Sequence, residues 1–397
     1  MTDLHRAIHS ASTGSDTAAS LTTRNASLQQ LAAMLEDQHT RKFDVVTAAS
    51  KLRAEAGHLV VAGAGKTITL DGVSDTDVAL RPTGSADGDI AAKLGIPVRY
   101  LRKLRSDSKL ELYDHNVNTW LRELGDFKLF TRALVSEGEN TGVARALLTS
   151  SYKVIDNLDV LSTVLEGVRR AGVPVEITQC DLSETRMYVK LSCPEIAEYA
   201  PDLLRNYTSP FSGARGADNP LVFAGFVIAN SEVGAGRTTI TPRLTVEVCD
   251  NGMTISKDAL KETHLGARMD EGVIQWSEDT RRAEIDLIAR QARDAVTTFL
   301  DRDYVRAKLA ELQRDAGVEV TQPQATIEHV AERLRFTKNQ RESVFAHFIR
   351  GGDTSSGGVL HAVTSAAQLV ADPDEAYAME ATGPRAMSLA AAHASRR

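Results

Sequence analysis

Cysteine is scarce in this chain. Cys180, Cys193 and Cys249 are the three thiols in 397 residues, and no two of them form a CxxC pair. That scarcity excludes a disulfide framework and a cysteine-based zinc site, leaving buried thiols of a reducing compartment as the expectation. Long apolar runs are missing as well. No stretch approaches the roughly 18 residues of a membrane span, and the N-terminus lacks an apolar signal core, so a cytoplasmic protein with no membrane partner is expected. A basic excess is also absent: 46 Lys and Arg stand against 53 Asp and Glu, for a formal charge of -7. A uniformly basic nucleic-acid coat is thereby excluded. A local cationic patch is not, because charges more than about 10 Å away are screened at physiological salt.

Recognisable catalytic machinery is lacking too, since no GxSxG elbow occurs. The GAGKT at 63–67 falls short of a phosphate-binding loop. The full pattern needs glycine at position 60, where Val60 stands, and a helix afterwards, where ITLDG reads as strand and turn. His264 has no partner near it in sequence, and Asp250-Asn251-Gly252 is a turn by its chemistry. No catalytic residue, metal or cofactor is therefore assigned.

What is present is core-forming material, 42% hydrophobic residues over a length sufficient for two domains. Residues 1–25, rich in Ser, Thr and Ala, read as a mobile lead-in. Residues 26–150 read as a helical and hairpin region: helical spacing over 26–56, a hairpin over 58–70, helix over 85–105 and again over 114–131. Residues 151–318 hold a helix over 158–170, a strand pair over 176–193, a second pair over 220–252 and a long helix with the apolar stripe Ile285, Ile288, Ala292, Val296, Phe299. Residues 319–397 are helical, with 376–397 trailing off as a small-residue tail. The fold class expected is α+β: an antiparallel sheet of at least four strands packed against a long helix, with helical N- and C-terminal extensions.

Two strand faces carry the candidate site. Successive strand residues point to opposite sides, so Arg237, Thr239, Thr241, Arg243 and Thr245 share one face while Ile240, Leu244 and Val246 share the other. In the earlier strand Arg186, Tyr188, Lys190 and Ser192 line up the same way. Cations flanking an aromatic suit a single-stranded nucleic acid, whose phosphates pair with Lys and Arg and whose bases stack on rings. The candidate nucleic-acid-binding residues are Arg186, Tyr188, Lys190, Arg237 and Arg243, with Lys153 and Arg145 beside them. A second candidate is the segment 88–105, GDIAAKLGIPVRYLRKLR, which has the small residue Ala91, the turn glycine Gly95 and the apolar anchor Leu101 of a helix-turn-helix; Arg99, Arg102, Lys103 and Arg105 would then face a duplex.

Several motifs together resemble the phage- and plasmid-like proteins of domain-of-unknown-function family 932. They are Arg145-Ala146-Leu147, the stretch from Ser151 to Gly172, Asn230-Ser231-Glu232-Val233-Gly234, Arg243, Cys249, Asn251-Gly252, His264, Gly351-Gly352-Asp353 and His361-Ala362-Val363-Thr364. The resemblance implies a mobile-element context, where recombination proteins are common. The strand and long-helix order looks, by fold analogy, like the core of single-strand annealing proteins. The expectation drawn is a homo-oligomeric protein that binds and anneals single-stranded DNA in recombination, with host or phage DNA-processing proteins as candidate partners. The alternatives are a helix-turn-helix regulator of a mobile element, or a non-DNA interaction protein acting on a host function.

Overall fold

The computed structural model describes residues 21–69, 72–152, 154–247, 252–254, 258–262 and 278–395. Ser27 starts the first helix, α1 (Leu28–Thr40), through a capping box with Gln30. Helical spacing ends there. The following KFDVVTA is rich in β-branched residues and forms a strand, β2 (Lys42–Ala48), so the helix expected over 26–56 is corrected to helix and strand. The lead-in also contributes structure, because β1 (Thr23–Ala26) pairs with a later strand.

The N-terminal region is built on a six-stranded sheet rather than a single hairpin. Its strands are β2, β3 (Leu52–Glu55), β4 (His58–Thr69), β5 (Gly72–Pro82), β6 (Lys128–Val135) and β7 (Thr141–Thr149), in the order β2-β6-β7-β5-β4-β3. Only β5 and β7 run parallel. The expected turn at 63–65 is an irregularity inside the long β4, where Gly63 takes a positive φ of 64° and donates its N–H to Asp77 at 3.0 Å. Three helices pack on this sheet: α2 (Gly84–Leu94), α3 (Val98–Ser106) and α4 (Leu110–Leu124). The helix expected over 114–131 stops at Gly125, and Leu129 to Leu134 lie inside β6.

The second sheet has seven strands and is antiparallel throughout. β8 (Glu176–Leu182), β9 (Met187–Tyr199), β10 (Leu221–Asn230), β11 (Thr238–Val246) and β12 (Gly252–Thr254) follow β1 in that order, and β13 (Leu260–Glu262) pairs with β11. One face carries Val189, Leu191, Ala224, Phe226, Ile228, Ile240 and Leu244, all buried against α1, α5 (Asn157–Ala171) and the long α7 (Glu278–Phe299). Each such large side chain contributes roughly 1.5–3 kcal/mol by leaving water. A short α6 (Pro201–Leu204) precedes β10, and α8 (Arg302–Ala316) closes that layer.

The remaining helices are α9 (Pro323–Leu334), α10 (Lys338–Gly351), α11 (Ser356–Ala367), α12 (Pro373–Glu380) and α13 (Gly383–Ala394), which share a third apolar core. The expected small-residue tail is thus two packed helices, with Ala386 and Ala390 fully buried. Thirteen α-helices and thirteen strands among the described residues make the chain α+β with a helical C-terminal extension.

Candidate nucleic-acid interface

The strand register places the expected row on one face. Lys190, Val227 and Thr241 lie side by side across β9, β10 and β11, as do Ser192, Gly225 and Arg243. That face is covered. α12 lies over it and supplies two carboxylates: Asp374 accepts hydrogen bonds from the hydroxyls of Ser183, Thr185 and Tyr188, and Glu380 accepts from Lys190 Nζ at 2.7 Å, Arg243 Nε at 2.9 Å and Thr254 at 3.2 Å. Burial would raise the Glu380 carboxyl, but the charges of Arg243 and Lys190 outweigh it and hold it at about 2.

The site expected from the sequence is corrected residue by residue. Tyr188 is 2% exposed, stacked on Tyr377 at 4.6 Å between centroids, and so offers no platform to a base. Lys190 and Arg243 are ion-paired inside the protein. Arg145 is buried in another cluster, paired with Glu232. Arg186 is half-buried and donates to the Ala235 carbonyl. Arg237 alone of the set is exposed, and Lys153 lies outside the described residues. Sequence reasoning missed Asp374 and Glu380, whose signal was only an acidic short helix after Pro373.

Arg145 belongs to a network between the two sheets. Glu232, in the turn after β10, pairs with Arg145 of β7 and, at 3.4 Å, with Arg132 of β6, and it accepts the Asn157 N–H at the start of α5 at 2.8 Å. Arg132 also reaches Asp44 and Asp156, and Lys42 pairs with Asp156 at 2.8 Å. A small cleft lined by Leu35, His39, Lys42, Arg132, Arg145 and Glu232 opens beside these groups. Burial opposes ionisation of Glu232, yet Arg145 and Arg132 hold its carboxyl below the usual range. Arg132, Arg145 and Lys42 pair with these carboxylates, so the arrangement clamps the sheets together. Among the described residues no group of three or more His, Cys, Asp or Glu is placed to hold a metal ion, and no helix is long and apolar enough to cross a membrane.

The cationic element that stays open is the helix-turn-helix segment. α2 ends at Gly95, in the left-handed region at φ 68°, and Ile96-Pro97 lead directly into α3. Ile90, Ala91, Leu94, Ile96, Leu101 and Leu104, the positions that weld two such helices, are all buried. Asp87 locks the pair from within: it accepts both Arg105 Nε at 2.8 Å and Nη2 at 3.0 Å, and the Tyr113 hydroxyl of α4 at 2.9 Å. Arg105 is therefore structural and does not face a duplex. Arg99, Tyr100, Arg102 and Lys103 are exposed. Residues 93–109 carry Lys93, Arg99, Arg102, Lys103, Arg105 and Lys109 against one carboxylate, Asp107; Lys103 pairs with Asp107 at 2.6 Å and Arg105 with Asp87, which leaves Lys93, Arg99, Arg102 and Lys109 as the excess positive charge of the stretch.

No family model, curated protein or solved structure matches the chain. The likeness to family 932 rests on the motif order alone. Its most legible motif residues, Arg145, Asn230, Glu232 and Arg243, sit in buried polar networks, while Cys249, Asn251 and His264 lie outside the described residues.

Asp89 on α2 gives this element a pH dependence. Its carboxylate accepts the Leu147 N–H of β7 at 3.1 Å, and burial, only partly offset by that bond, pushes its pKa from 3.8 up to about 6. The fold thus binds the proton more tightly than the unfolded chain does. Its stability contribution is full below pH 3.8 and falls as pH rises through 6. Asp89→Asn keeps an acceptor for Leu147 and should remove that slope in melts recorded across the window. The gain at pH 7, discounted for partial exposure, is about 1–2 kcal/mol.

Proposed function

We propose that this protein binds nucleic acid by presenting α3 to duplex DNA, in the manner of a helix-turn-helix regulator of a mobile element. The observation that carries the reading is the exposed row Arg99, Tyr100, Arg102 and Lys103 on the second helix of a correctly welded pair. A helix of that kind enters a major groove, where its cations meet phosphates and base edges. Tyr100 adds a ring with a polar tip that suits the sugar-phosphate edge. Arg102 donates to the Gly84 carbonyl at 2.6 Å, which fixes its direction near the start of α2.

The test uses the full chain against labelled duplex and single-stranded oligonucleotides at several salt concentrations. Duplex should be preferred, and binding should weaken steeply with salt. Arg99→Ala with Lys103→Ala should lower duplex affinity roughly tenfold to a hundredfold at unchanged thermal stability, and should reduce the salt slope by about one for each phosphate no longer neutralised. Absence of duplex binding at low salt, or no effect of the double substitution, overturns the reading. The single-strand annealing reading is weighed in the same competition. On the sheet face it retains Arg237 and the half-buried Arg186 as accessible cations, and it requires α12 to leave before Lys190 or Arg243 could touch a strand.

A further inference from the structure

Four of the eleven large apolar side chains exposed among the described residues, Tyr100, Leu112, Trp120 and Phe127, fall between positions 100 and 127. Single exposed apolar residues need no explanation, but Leu112 and Trp120 lie eight residues apart on one helix, α4, where they share a face open to a contact. α4 buries Tyr113, Val117 and Leu121 in the core of its sheet and leaves a second stripe along its flank. Leu112, Asn116, Trp120 and Glu123 follow one another at intervals of three or four residues, the spacing that keeps a row on one face of a helix, and Lys109, the N-cap residue, stands three residues ahead of Leu112.

That row is self-complementary. Leu112 and Trp120 stand four residues to either side of Asn116, and Lys109 and Glu123 stand seven residues to either side. A second α4 laid antiparallel, with the two-fold axis at Asn116, sets Leu112 of each copy on Trp120 of the other and Lys109 of each on Glu123 of the other. A parallel pair would instead oppose lysine with lysine. Lys109 and Glu123 are exposed, and neither is engaged in an ion pair among the described residues, so both are free for a partner copy.

We propose that the protein associates with a second copy of itself through this stripe, forming an antiparallel α4 pair about a two-fold axis. Two-fold contacts are isologous, so one patch must satisfy itself, as this one does. Asn116, whose amide donates to the Leu112 carbonyl at 2.6 Å, lies at the centre, and the register is set by the Leu112–Trp120 and Lys109–Glu123 matches, which a shift of one turn would break. A single helix pair buries little area, so the dimer is expected to dissociate in roughly the micromolar range. Such pairing does not depend on nucleic-acid binding, although a two-fold dimer would also present two α3 helices together.

The experiment is sedimentation equilibrium of the full chain, without nucleic acid, from roughly 1 to 100 µM. Wild type should dimerise reversibly. Lys109→Glu puts like charges together at both ends of the pair and should weaken association about tenfold. Adding Glu123→Lys should restore it, and Trp120→Glu should leave monomer, with circular dichroism and melting showing each fold intact. Monomer at every concentration overturns the proposal. So does a dimer indifferent to Trp120→Glu, or a charge swap that fails to rescue. Because no oligonucleotide is present, these outcomes are independent of whether α3 binds a duplex.

Discussion

Glu380→Ala is expected to destabilise the protein by about 3–5 kcal/mol and to loosen α12 from the seven-stranded sheet. Glu380 is 3% exposed and is the shared acceptor of Lys190, Arg243 and Thr254. Removing it takes from two buried cations the carboxylate they share, although Arg243 keeps its bond to Thr245, and a buried charge deprived of its counter-ion costs far more than the net worth of the pair. The size agrees with its titration. A carboxyl held at about 2 instead of 4.5 contributes on the order of 3 kcal/mol. Because this pKa is depressed, the contribution is complete above pH 4.5 and disappears as pH falls towards 2. Denaturant melts and amide exchange on α12 measure both effects. Replacing Glu380, Lys190 and Arg243 together by methionine removes every charge at once and should recover most of the stability, since buried ion networks are often replaceable by apolar residues of similar volume. A change below 1 kcal/mol in Glu380→Ala would mean that the sheet face is not held by this carboxylate.

The same residues explain how far the chain could be read before its structure. Alternation in β9 and β11 correctly assigned Lys190 and Arg243 to one face, because strand period fixes which side chains point together. Period says nothing of what that face meets. Polar rows usually meet water, and the carboxylate that meets this one lies 190 residues beyond Lys190 and 137 beyond Arg243. The six-stranded sheet was missed for a different reason. KLFTRALV in β6 is apolar at both parities, so periodicity could not separate a buried strand from more helix, and the stop signal at Gly125 was not used. The turn between α2 and α3 was legible because its signal is local: a small residue, a turn glycine and an apolar anchor inside 18 residues. Arg105, expected to face a duplex, is instead taken up by Asp87, which lies on the preceding helix but whose burial no local pattern announces.

Glu232→Ala is expected to cost a comparable 3–5 kcal/mol, with a different signature. Glu232 is the acid through which β7 of one sheet meets the turn after β10 of the other. Arg132 keeps Asp44 and Asp156 when Glu232 is removed, whereas Arg145, 4% exposed, has no other acid among the described residues. The penalty therefore falls on Arg145, left charged in a buried site, and on the unfilled Asn157 N–H at the N-terminus of α5. Glu232→Gln still offers Asn157 an acceptor and should recover part of the stability, while Arg145→Met with Glu232→Met should recover more. Since this ion pair joins two sheets with separate cores, its removal should lower their mutual cooperativity as well as total stability. Amide exchange should then report the six-stranded sheet opening at a lower free energy than the seven-stranded one. If both sheets lose protection equally in Glu232→Ala, the network stabilises the interior without acting as the joint between them.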